Sequence, residues 1–249
     1  MQSYQRERIQ MIDVIKDMWE LGLANSTGIA VSMRLDDGTV LTDRSGTGFR
    51  RCKISGDDLM VISLDGELLE AGEGRLAPVN TVIALAYFKA NPLANACVHC
   101  HPLYSQLFAI ANLPILPFTL QSKLTGIMPC IYVDDRAEKR RMVANEITVN
   151  VPTGIHSRPD VFFVMDQVGQ KVVEVLTPRN NEMLEHGLAA NHYEHGGFWF
   201  GRTIDEALEN LIRMEANAKS LVTFFGSIPE VKKQYQRLWN GDITSLNQF

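Results

Sequence analysis

Residues 95–101, "NACVHCH", form a short β-rich run that Pro102 stops. Successive side chains on a strand point to opposite faces, so a strand here projects His99 and His101 from one face. Two imidazoles on one face can share a metal ion at roughly 2.0–2.1 Å each, given a third ligand from elsewhere and an open position for substrate. Two ordinary polar residues at a strand end fit the same spacing, and the spacing alone leaves both readings open. Cys97 and Cys100 also make a C-x-x-C in this run. A redox pair usually opens a helix, and no second pair completes a four-sulfur site, so neither chemistry is assigned to it.

Four histidines remain as sources of a third ligand: His156, His186, His192 and His195. His195 stands in "YEHGGFWFGRT", where Gly196 and Gly197 permit close backbone approach. His192, three residues upstream, tends toward the opposite strand face, and His186 in "LEHGL" also precedes a glycine. The residues by themselves do not choose among them.

A chain of 249 residues with 45% hydrophobic and 21% charged content can bury a sizeable core as one domain spanning 1–249. The formal net charge of -5 argues against nucleic-acid or anionic-membrane partners, which need clustered Lys and Arg. The densest basic run, "RAEKRR" at 136–141, reads as a solvated helix face. The opening residues are charged throughout, and no segment approaches the roughly 20 apolar residues of a membrane span, so a cytoplasmic protein is expected. Cys52, Cys97, Cys100 and Cys130 are too few and scattered for a disulfide framework and are expected to be reduced.

Residues 4–22 show helical spacing with Gly22 as a stop. "GIAVSMRLDDGTVLTD" and "LMVISLDGELLEAG" read as hairpins turning at Asp36-Asp37-Gly38 and Asp65-Gly66. "VNTVIALAYFKANP" reads as a helix capped by Asn80 or Thr81 and ended by Asn91-Pro92, and "LYSQLFAIAN" as another. "DVFFVMD" and "KVVEVLT" read as two strands joined by a Gly169 turn, and "GGFWFG" as a further strand. "TIDEALENLIRMEANAKSLVTFFG" closes with a long helix in which Thr203 and Glu206 form a capping box. There are no internal repeats or linkers, and one α/β domain follows.

The order of these landmarks resembles the class II aldolase/adducin family, whose members include sugar-phosphate aldolases, a ribulose-phosphate epimerase, dehydratases and decarboxylases. Four stretches carry the likeness: "SGTGFRRCKISGDDLMVISLDGELLEAG", "NTVIALAYFKANPLANACVHCHP", "TGIMPC" and "HGGFWFGRTIDEAL". They span about residues 20–220, while 136–187 looks unlike the family's usual helical segment. The resemblance implies an α/β/α sandwich with a central, mainly antiparallel sheet. It implies a divalent metal held by His99, His101 and His195, His195 being chosen because its distance to the "GRT" at 201–203 fits the family pattern. Zinc is the family's commonest ion, with manganese or iron as alternatives. It further implies a homotetramer with active sites at subunit interfaces and a small-molecule substrate.

The departures from the family pattern are informative. Asn80 stands where catalytic members carry an acidic acid/base residue, and Asn cannot take up a proton. The phosphate-binding loop reads "STGIAVS", with Ile29 in place of the family's Asn, although "RSGTG" keeps Ser45 and Gly46. A second acid/base position falls on Ser122, with Lys123 beside it, and Tyr235 is the nearest match to a C-terminal tyrosine that can serve a neighbouring subunit. Arg50, Arg51 or Lys123 could hold a substrate carboxylate, and Arg50 or Arg51 could replace the lost phosphate donors.

The expectation from these residues is a metal-dependent carbon–carbon lyase, with decarboxylation of an unphosphorylated substrate preferred to retro-aldol cleavage, because decarboxylation needs an electron sink and no base to begin. Sugar-phosphate aldolase or epimerase, non-haem iron oxygenase and non-catalytic adducin-like scaffold stand as alternatives.

Overall fold

The computed structural model describes residues 3–24, 28–45 and 53–238. The chain runs through helix α1 (Gln5–Glu20) and strands β1 (Ala30–Arg34), β2 (Val40–Asp43), β3 (Leu59–Ile62), β4 (Leu68–Glu70) and β5 (Ala77–Pro78). Helix α2 (Thr81–Ala90) leads to β6 (Ala96–Cys100), α3 (Leu103–Ile110), α4 (Leu120–Lys123), β7 (Cys130–Ile131), α5 (Asp135–Ala144) and β8 (Ile155–His156). Helix α6 (Pro159–Leu176), strands β9 (Leu188–His192) and β10 (Gly197–Gly201), and helices α7 (Ile204–Phe225) and α8 (Ile228–Leu238) complete it. Eight strands form one sheet in the order β4-β3-β2-β1-β6-β10-β9-β7, in which the β7–β9 pair is parallel and every other pair antiparallel.

Helices cover both faces of this sheet, so strand alternation sorts side chains into two cores. On one side α1, α7 and α8 pack over Val31, Val98 and Trp199. On the other, α2 and α6 pack over Cys97, Phe198 and Phe200. The expected mainly antiparallel α/β/α sandwich is the observed architecture. Cys97 and Cys100 fall into different cores on opposite faces of β6, both as free thiols, so the C-x-x-C is packing and not a redox or metal pair.

Both sequence-read hairpins form, with Gly38 (φ 83°) and Gly66 (φ 87°) supplying the left-handed turn positions. Arg8 is buried under α1 and donates to Glu70 at 2.7 Å and to the carbonyls of Gly56 and Leu59, fastening α1 to the sheet edge. On α7 the Thr203 hydroxyl oxygen accepts from the Glu206 N–H at 3.1 Å. The Glu206 carboxylate turns to Arg202 instead, which leaves the capping box half formed.

Residues 161–177 correct the sequence reading, because 161–176 lie in the single helix α6 and do not form a strand pair. The Val- and Phe-rich composition suggests strands, but the buried positions Val164, Val168, Val172 and Val175 recur at helical spacing, with Pro159 at the helix start. Gly169 lies mid-helix, where an added Cβ would stand 3.1 Å from Ala86 Cβ on α2. The missing side chain lets α6 approach α2 closely. The segment 136–187, read as unlike the family's helices, is therefore largely helical through α5, α6 and a 3-10 stretch at Thr177–Leu184.

Candidate metal centre

The triad assembles at the end of β6, the central strand between β1 and β10. Its register sets His99 opposite Ala30 on one side and Phe198 on the other. One ligand nitrogen from each of His99, His101 and His195 lies within 4.8 Å of the others. The ring centroids stand 4.9, 5.0 and 5.1 Å apart, forming a nearly equilateral triangle.

Glycines make room for this convergence. A Cβ on Gly196 would fall 2.3 Å from His101 Cδ2 and 2.6 Å from the Cys100 carbonyl oxygen. One on Gly28, which has φ 56°, would fall 2.7 Å from His101 Cε1. Beyond Pro102, the Glu215 carboxylate on α7 accepts from the Tyr104 and Ser105 N–H groups at 2.8 Å each and so caps α3. The chain leaving His101 is thereby anchored.

Proton positions follow from the hydrogen bonds. His99 Nδ1 lies 2.9 Å from the Gly197 carbonyl oxygen, which can only accept, so Nδ1 carries the proton. His99 Nε2 is then a lone pair, and the Asn80 Nδ2 amide donates to it at 3.0 Å. Burial, followed by the neighbouring His195 and His101, holds His99 well below its ordinary pKa. Burial, with His192 and His101, brings His195 to about 3, and burial brings His192 to about 4. These imidazoles are neutral at physiological pH, the state in which a ring nitrogen binds a metal.

His195 also borders a cavity of about 690 Å³ lined by Tyr132, Asp134, Asp135, Arg136, His192, Tyr193 and Glu194, among others. His192 does not take the opposite face that strand alternation predicts. Residues 193–195 make a turn with Glu194 at φ 56°, which returns His195 to within 3.2 Å of His192, Nδ1 to Nδ1. His186 sits apart, with Nδ1 2.6 Å from the Gly187 carbonyl oxygen, and His156 is exposed on β8.

The other sequence-read positions are dispersed. Asn80 occupies the N-cap of α2 without capping it, because its side chain faces His99; its buried Oδ1 has no hydrogen-bond partner among the described residues. Ser122 is buried in α4, where its hydroxyl lies 2.8 Å from both the Thr119 carbonyl oxygen and Asn217 Oδ1, which occupies it in fastening α4 to α7. Lys123 is exposed. Tyr235 is buried in the core of its own chain, where its oxygen accepts from the Leu116 N–H at 3.2 Å, so it does not extend toward a neighbouring subunit. Ser45 gives its N–H to the Leu76 carbonyl oxygen at 2.7 Å, and that donor is spent within the fold. Gly46, Arg50 and Arg51 lie outside the described residues. Sequence reasoning missed the Asn80–His99 contact, the His192–His195 pair and the Glu215 cap. The glycines at 28 and 196 were the available signal for crowding around His101.

Residues 9–222 match the family model of the Class II Aldolase and Adducin N-terminal domain. The L-ribulose-5-phosphate 4-epimerase UlaF of Salmonella paratyphi C is 27% identical over 218 residues, which cover 86% of this chain and 83% of that protein. The structure of YgbL from Escherichia coli shares the fold with a TM-score of 0.64 at 20% identity, over 91% of this chain and 96% of YgbL. The L-fuculose-1-phosphate aldolase of Thermus thermophilus does so with a TM-score of 0.63 at 19% identity, over 96% of this chain and 98% of the aldolase. With its landmarks and fold in agreement, the chain belongs to the class II aldolase and adducin family.

Proposed function

We propose that this chain is a divalent-metal-dependent enzyme that breaks or forms a carbon–carbon bond beside a carbonyl group, on a sugar phosphate or a related polyol. The observation that carries this reading is the convergence of three imidazoles, His99, His101 and His195, the last of which borders a cavity of small-molecule size. The donor set fits a metal: the His99 and His195 rings are neutral, and the partnerless Asn80 Oδ1 stands beside His99. His99 would bind through Nε2, because its Nδ1 is committed to Gly197. Zinc is the first choice for a three-imidazole site, with manganese or iron as alternatives. Such an ion, when bound, acts as a Lewis acid that polarises a carbonyl oxygen and takes up the charge released by bond cleavage. UlaF, named as an epimerase, and the Thermus aldolase support the aldol and epimerase side of the family's chemistry.

The chain's own residues divide the remaining work. Asn80 donates to His99 Nε2 only while that nitrogen is free of metal, and with the nitrogen engaged its amide is released for substrate oxygens, but it moves no proton. Tyr132, Tyr193 and Arg136 offer hydroxyl and guanidinium donors to substrate in the cavity. The exposed apolar side chains Phe118, Leu120, Leu124 and Phe224 support self-association; the homotetramer with sites at subunit interfaces comes from the family resemblance.

A second reading, decarboxylation of an unphosphorylated keto acid, is favoured by Asn80 itself, since loss of carbon dioxide needs no base to start. The zinc-loaded protein tests the two together. Carbonyl product from L-fuculose 1-phosphate, or epimerisation of L-ribulose 5-phosphate, would support the first reading. Carbon dioxide release from a keto-acid panel alone would support the second. No turnover on any of these would favour a scaffold.

A further inference from the structure

We infer that His192 is a positioning residue for the metal ligand His195, fixing which of its nitrogens faces the metal and keeping a ring N–H of its own for a group in the adjoining cavity. The inference rests on the metal reading above and extends it to a residue outside the triad. His192 Nδ1 and His195 Nδ1 lie 3.2 Å apart with the ring planes at 82°, a hydrogen-bonding arrangement. Two facing nitrogens at that distance share one proton, since two lone pairs repel and two N–H groups clash. His195 can offer Nε2 to a metal as a neutral ring only if its Nδ1 holds that proton. His192 Nδ1 is then the acceptor, and the His192 proton sits on Nε2.

Backbone geometry holds this arrangement in place. The His195 N–H donates to the His192 carbonyl oxygen at 3.0 Å, and the His192 N–H donates to the Gly196 carbonyl oxygen at 2.8 Å. His192 is only 3% exposed, yet it lines the cavity together with His195. His99 uses the same device with a different acceptor, because the Gly197 carbonyl fixes its tautomer. An imidazole acceptor adds what a carbonyl cannot, a second ring nitrogen whose N–H can donate to a bound oxygen atom. Partners of this kind orient metal-binding histidines and govern the affinity of the site.

Zinc ion alone, titrated against a competing chelator, tests this on the full chain. His192→Leu should weaken zinc binding by about 10- to 100-fold. His192→Asn, whose Oδ1 can stand where Nδ1 stands, should restore most of the loss. Nitrogen-15 spectra of the zinc-loaded wild type should show His195 protonated at Nδ1 and His192 protonated at Nε2 alone. Should His192→Leu fail to fold, the Asn variant and the spectra still decide. Leu and Asn variants of equal affinity, or a His192 proton on Nδ1, would overturn the inference. A wild type that takes up no zinc would remove the metal reading itself, a result distinct from an intact site indifferent to residue 192.

Discussion

The Asn80 side-chain nitrogen lies 3.0 Å from His99 Nε2, on the lone pair that a metal ion would need. The residue that the family resemblance sets at an acid/base position thus touches a proposed ligand directly, but with a group that can only share hydrogen bonds. A metal on His99 Nε2 would displace this amide, and the buried Oδ1, without a hydrogen-bond partner among the described residues, would be the amide atom suited to a positive charge.

Replacing Asn80 with Glu places a proton carrier at that position. If aldol chemistry is native to the cavity, Asn80→Glu should raise the rate of carbonyl release from a sugar phosphate by about 10²-fold, the lower end of what a positioned acid/base contributes. Steady-state kinetics on the zinc-loaded variant checks this, and an unchanged rate would place the proton carrier elsewhere.

Gly196→Ala should disable the centre without replacing any of the three histidines. Its Cβ would fall 2.3 Å from the His101 ring and 2.6 Å from a strand carbonyl, so ring or backbone must move. A destabilisation of about 1–3 kcal/mol is expected from such overpacking. Metal stoichiometry should fall with it, and a variant that keeps both full stoichiometry and full stability would refute the crowding argument.

Gly169→Val tests the packing of α6 on α2. The added Cβ would stand only 3.1 Å from Ala86 Cβ, and the valine methyls add bulk at that contact. Thermal unfolding should show a loss of about 1–3 kcal/mol, whereas a turn residue between two strands would tolerate the change differently, with a β-former at its most exposed point.

Stability should decline with alkaline pH. Burial pushes the Cys130 thiol and the Tyr87 phenol each up to about 12, and it raises Tyr235 as well. In the unfolded chain these groups ionise near their ordinary values of about 8.5 and 10. Between those values and the folded ones the unfolded chain binds fewer protons, so the unfolding free energy falls as pH rises. The contribution is complete below about pH 8.5 and is lost progressively toward pH 12. Urea midpoints that stay flat from pH 8 to pH 11 would contradict this.

Periodicity made much of this fold legible. The two hairpins, β6, β10 and α7 follow from alternation, Asp-Gly turns and the Thr203 cap. Helix α6 was hidden because its buried face is built from Val, and β-branched residues at helical spacing suggest strands when read locally. At the site, the shared face of His99 and His101 was readable from strand alternation, while the choice of His195 came from the family resemblance. The Asn80 contact could not be read, since a residue of capping type at a helix start predicts a cap. His192 was assigned to the wrong face because alternation stops at the turn holding Glu194 in the left-handed region.

Elemental analysis of the purified, metal-reconstituted protein beside His195→Ala and His186→Ala tests the central claim most directly. The account predicts one divalent ion per chain in the wild type and in His186→Ala, whose ring sits apart from the triad, and its loss in His195→Ala. A wild type that holds no ion, or an ion that leaves with His186 and stays without His195, would contradict it.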